Sequence, residues 1–179
     1  MQAHVTEVEP EFRSFENAKL SVADQRLTYN AQYTVQIAKA GVFAFDLQLP
    51  AAYDVDNLTA PQVSHWDESV ADGVRSVRVH LKQRTLGQID LSLTLSQPVA
   101  QLPPQVTAPR VALVGAQKHG GQIVIESEQG VRLTIADRQG VSELNPLDLN
   151  IRTPGTLAFS LLRPDWVLDL TTEVIEPRI

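Results

Sequence analysis

The 179-residue chain contains no cysteine. Disulfides, thiolate metal sites and cysteine nucleophiles are thereby excluded together, although the absence does not fix a compartment. Basic runs are also missing, and 15 Lys and Arg against 21 Asp and Glu leave a net charge of −6. Nucleic-acid binding needs a positive footprint for phosphates, and docking on anionic lipid needs a basic patch, so the sequence argues against both. No stretch approaches the roughly eighteen consecutive apolar residues of a membrane span, which argues against direct insertion. The opening "MQAHVTEVEPEF" has neither the basic start nor the apolar run of a secretory signal. Aromatic residues are scarce at 6%, so few side chains could form a stacking platform.

What the chain does have is alternation. With 43% apolar and 20% charged residues it has the composition of a folded globular protein. In "QIDLSLTLS" (88–96), Ile89, Leu91, Leu93 and Leu95 share one face, and Asp90, Ser92, Thr94 and Ser96 the other. Successive strand side chains point to opposite sides, so this pattern is that of a half-buried strand. The same logic predicts strands with Phe43, Phe45, Leu47 and Leu49 inward, and with Val77, Val79 and Leu81 inward while Arg78 and His80 face out. Further strands follow at Val131, Leu133 and Ile135, and at Leu157, Phe159 and Leu161. Turn signals fall at "AKAG" (38–41), "ADGV" (71–74), "KHGG" (118–121), "SEQG" (127–130) and "DRQG" (137–140). No sustained helical stripe occurs, and one short helical turn is expected in "VSELNPLDL" (141–149). The predicted fold is an all-β antiparallel sandwich with little or no helix.

The segment "PVAQLPPQVTAP" (98–109) cannot be a central strand, because proline removes ladder donors. It reads as a crossover within one body spanning 1–179. The alternative is a linker between two small β modules, 13–97 and 110–179. The phrases "VTEVEPEF" (5–12) and "TTEVIEPRI" (171–179) nearly repeat each other. They read as successive seams of a tandem array. On that reading Pro10 and Pro177 mark where pairing stops, Val5, Val8 and Val174 stay out of the core, and the ends lie at opposite poles.

Several anchors sit in a recurring order: Leu49-Pro50, Trp66-Asp67, Gly87, Gly121 and Asp165-Trp166. In this the sequence resembles β-rich modules of large, uncharacterised exported bacterial proteins. The resemblance implies a β-sandwich unit in the periplasm, the cell envelope or outside the cell, its signal peptide lying outside this sequence, with a cytoplasmic location left open. It carries over no functional residue.

The densest polar stretch is "YDVDNLTAPQVSHWDES" (53–69). Asp54 and Asp56 offer oxygens for calcium, but the glycine and the distal glutamate of an EF-hand loop are missing. His65, Asp67 and Glu68 suggest a metal or acid/base site. Zinc histidines come in sets, however, and His4, His65, His80 and His119 stand in separate elements. No tightly bound transition metal and no cofactor is therefore expected. "GAQKHGG" (115–121) lacks phosphate-loop spacing and reads as a hairpin turn, and no G-x-S-x-G is present. For carbohydrate, Trp66 read as a loop residue, with His65 and Tyr53 beside it, is the best platform. The resulting expectation is a non-catalytic scaffold or protein-interaction module, its partners neighbouring β modules or another protein. Carbohydrate binding around Trp66 is the alternative.

Overall fold

A computed structural model describes residues 8–175. They form twelve strands: β1 (Glu11–Ala23), β2 (Arg26–Pro50), β3 (Asp54–Thr59), β4 (Val63–Ala71), β5 (Val74–Pro98), β6 (Gln105–Thr107), β7 (Ala112–Leu113), β8 (Ala116–Ser127), β9 (Val131–Gln139), β10 (Val141–Leu144), β11 (Leu157–Leu161) and β12 (Val167–Val174). The one helical element among the described residues is a single 3-10 turn, Pro146–Leu149, within the stretch where a helical turn was expected. Asn145 caps it by accepting from the Leu147 N–H at 3.0 Å. The fold is all-β, in two sheets.

The larger sheet runs β10-β11-β8-β1-β2-β5-β3, with β4 joining β5 and β7 joining β2. The smaller runs β6-β12-β9. Strands β2 and β5 are 25 residues each, and they organise the molecule. The half of β5 at 88–98 lies between the start of β2 and β3. Its other half, 74–81, lies between the end of β2 and β4. Two strands the sequence separates at "AKAG" are thus one bent strand. The register shifts between Ile37 and Val42 and again between Val42 and Ala44, and Lys39 takes a positive φ of 70°. A bulge bends a strand and re-aims its side chains. That corrects one core assignment: Phe43 is 65% exposed, whereas Phe45 is 4% exposed and Leu47 and Leu49 are buried.

"KHGG" is a second correction. It is no hairpin turn but the interior of β8, which pairs with β1 in parallel, an exception in an otherwise antiparallel sheet. "ADGV" does turn: Asp72 and Gly73 have φ of 53° and 76°, as a two-residue hairpin loop requires. The β5 face reads as its alternation dictates, with Ile89, Leu91, Leu93 and Leu95 buried and Ser92 and Thr94 half-buried on the opposite face.

The core fills the space between the sheets. One cluster of buried side chains includes Leu20, Tyr33, Leu91 and Ile123 from the large sheet and Leu168 and Leu170 from the small one. The proline-rich segment 98–109 runs from the end of β5 to β6 in the second sheet, and it places Leu102, Val106 and Ala108 in that cluster. Val5 and Pro177 lie outside the described residues, and Val8 and Val174 are exposed. The Ile175 amide donates to Gly130 at 2.7 Å, and the Glu128 amide donates to Val22 at 3.0 Å. The last described residue therefore sits by the far end of β1. The first described residues lead into Glu11, the near end of that strand, roughly 40 Å away at about 3.3 Å per residue.

Candidate functional site

Inward-facing positions of β1 should carry apolar side chains, and Ala18, Leu20 and Val22 do. Ser14 and Glu16 share that parity and are 6% and 0% exposed. A buried carboxylate is costly unless each oxygen finds a donor. Here the Tyr29 hydroxyl, from β2, donates to one oxygen of Glu16. His119 Nε2, from β8, lies 3.0 Å from the other. Ser14 Oγ lies 2.6 Å from His119 Nδ1, and Tyr33 stacks on the imidazole at 5.9 Å. With Nε2 protonated, donors run from Ser14 through His119 to Glu16, the connectivity of a nucleophile, base and orienting acid. Ser14 is 6% exposed and the His119 side chain 5%, so the network is a hydrogen-bonded polar cluster within the core. Burial, and then Glu16, raise the Tyr29 phenol well above its ordinary pKa, and burial raises Tyr33 likewise. The sequence reading missed these residues. The available signal was two polar residues on an otherwise apolar strand face.

The second cluster lies outside, on the hairpin of β4 and β5. Residues 65 and 67 alternate along β4 and project from one face, and the register sets His65 opposite His80. The two imidazoles stack with centroids 4.4 Å apart and planes 13° apart. His80 Nε2 is 2.7 Å from Asp67 Oδ2, and Ser64 Oγ is 2.9 Å from His65 Nδ1. One ligand atom from each of His65, Asp67 and His80 lies within 4.8 Å of the other two. The expectation that these histidines stand alone is thus corrected: cross-strand pairing brings two of them together. Glu68, grouped with them in sequence, points elsewhere and binds Arg75 at 3.0 Å.

The remaining candidates are placed as follows. Trp66 is on strand β4, not in a loop, with one face against the core and its Nε1–H donating to Glu68 at 3.3 Å. Tyr53 is 3% exposed, so its ring offers no face to a ligand, and burial raises its phenol well above the usual value. Asp54 lies 3.3 Å from Arg75, and Asp56 3.4 Å from Arg26, so each carboxylate has its own cationic partner. Arg75 is the organiser here, because it also donates to the carbonyls of Tyr53 at 2.8 Å and Ala51 at 3.1 Å.

No protein-family model and no curated protein sequence matches the chain. Its backbone is similar to part of several solved structures. An M1 zinc metallopeptidase from Deinococcus radiodurans superposes with a TM-score of 0.53 at 9% identity, over 90% of this chain and 42% of the peptidase. Leukotriene A4 hydrolase from Saccharomyces cerevisiae does so at 0.56 and 9% identity, over 90% of this chain and 29% of the hydrolase. A non-cellulosomal cohesin from Archaeoglobus fulgidus gives 0.38 at 10% identity over 66% of this chain and 94% of the cohesin, too loose a superposition to show a common fold. At these identities the likeness is one of β architecture. The chain spans less than half the length of either enzyme.

Proposed function

We propose that this chain is a non-catalytic β-sandwich unit of a larger cell-envelope or extracellular protein, acting as a scaffold or protein-docking module. The observation that carries this reading is one of proportion: the same β architecture accounts for 90% of this chain but only 42% of the Deinococcus enzyme and 29% of the yeast one. A fold that serves as one part of larger proteins fits a modular role. The inner polar cluster supports a role without catalysis, because the Ser14, Glu16 and His119 side chains are almost wholly buried, and the H-E-x-x-H signature of zinc peptidases does not occur in the sequence. Two strands support protein contact. β4 and β9, nine residues each, are edges of their sheets with one ladder side unpaired among the described residues. An added strand from a neighbouring β unit would complete them.

Immunoblotting of source cells after fractionation tests the reading. The expected band belongs to a polypeptide well above 179 residues, in the envelope or medium, from which limited proteolysis releases a resistant fragment containing this sequence. A free cytosolic protein of this length with no stable partner would sink it.

A further inference from the structure

We propose that His65, Asp67 and His80 bind a divalent transition-metal ion on the outer face of the β4–β5 hairpin. The residue types define the ion. Two imidazoles and one carboxylate suit zinc, copper(II) or nickel, whereas calcium and magnesium require oxygen sets. The backbone supplies the geometry: His65 and Asp67 alternate along one strand, and His80 is the direct cross-strand partner of His65. The three ligand atoms already lie within 4.8 Å of one another, so coordination needs side-chain rotation but no movement of either strand. The hairpin is anchored from beneath, where Val77 and Val79 are buried and Trp66 packs on the same core.

Neighbouring groups favour the ion. Ser64 Oγ lies 2.9 Å from His65 Nδ1; with the ring proton on Nδ1 the hydroxyl accepts it and Nε2 is left as the ligand, the usual way an outer partner fixes a tautomer. Arg78, across from Asp67 in the register, is held instead by Asp46 through two contacts of 3.0 and 3.2 Å. The Asp67 carboxylate is therefore available, its contact in the metal-free protein being His80 Nε2 at 2.7 Å. Binding would part the stacked rings, since in-plane lone pairs of parallel imidazoles do not converge on one point. Three protein ligands on an exposed face leave the remaining positions to water or to a donor from a docked partner. The inference stands apart from the modular reading above, and neither requires the other.

Isothermal titration of untagged, chelator-treated protein with zinc chloride tests it. One zinc per chain is expected, with affinity falling at least tenfold in His65→Ala and in His80→Ala. Ser64→Ala should weaken binding by about tenfold, at the lower end for an outer partner. Copper(II) should broaden the ring resonances of His65 and His80 ahead of His119, and His4→Ala should bind as the parent does. Ser64 and His65 are exposed and His80 is half-buried on the outer face, so circular dichroism and melting of these metal-free variants should match the parent. No binding up to millimolar zinc, or binding unchanged in both histidine variants, would overturn the proposal.

Discussion

Gly121 is pressed against the backbone of Glu16: a Cβ at position 121 would stand 2.8 Å from the Glu16 carbonyl carbon and amide nitrogen and would overlap its carbonyl oxygen. The two residues are register partners in the parallel pair of β1 and β8, and Gly121 has a φ of 135°. Side chain and backbone both demand glycine there. Gly121→Ala should therefore cost roughly 3 kcal/mol or more, through steric overlap added to backbone strain. Gly73, with φ of 76° and no atom within 4 Å of an added Cβ, should lose only about 1 kcal/mol in the same substitution. Urea melts of the two variants separate these outcomes, and equal losses would contradict the packing described.

All three tyrosines of the chain, Tyr29, Tyr33 and Tyr53, are buried with phenol pKa values raised. The folded state then holds protons that the unfolded state releases near pH 10. Stability is fully present below pH 10 and falls as pH rises beyond it, at about 1.4 kcal/mol per pH unit for each phenol and about 4 for all three. Absorbance at the tyrosinate band should stay flat past pH 10 and then rise in one cooperative step with unfolding. Gradual ionisation of a phenol in the native protein would show that it is accessible.

The bend in β2 makes a paired prediction. Phe45→Ala should cost about 3–5 kcal/mol, and Phe43→Ala under about 0.5 kcal/mol. On β5, Leu93→Asp should unfold the protein, because it buries an unpaired charge, while Thr94→Asp should cost about 1 kcal/mol for the bond from Thr94 to Asn30 at 2.9 Å. Thermal melts of the four variants check both halves. A stable Leu93→Asp protein would mean that the strand faces are reversed.

Within the polar core, Tyr29→Phe removes one donor from Glu16 and should cost about 1–3 kcal/mol. Glu16→Ala should cost more, since it leaves Tyr29 and His119 without their partner and opens a cavity. Denaturant midpoints of the single and double variants would show coupling, because the two residues share one interaction. Additive losses would disconnect them.

The sequence alone determined the strand character and most strand faces, since alternation with a period of two is a local property. Leu91, Leu93, Val77 and Val79 are buried for that reason, and the Asp72–Gly73 turn is set by residues that tolerate positive φ. That turn even contained the register of the outer site. Counting outward from Ala71 opposite Val74 brings His65 opposite His80, so this pairing was legible to anyone who carried the hairpin through. Tertiary structure alone decided the rest. The bulges that expose Phe43 depend on how β2 and β5 must bend to serve two groups of neighbours, which no local pattern encodes. The meeting of Glu16 with His119 depends on a parallel pairing of strands about a hundred residues apart. Nothing in either segment announces that partner, because the cost of a buried carboxylate becomes visible only once the strand beside it is known.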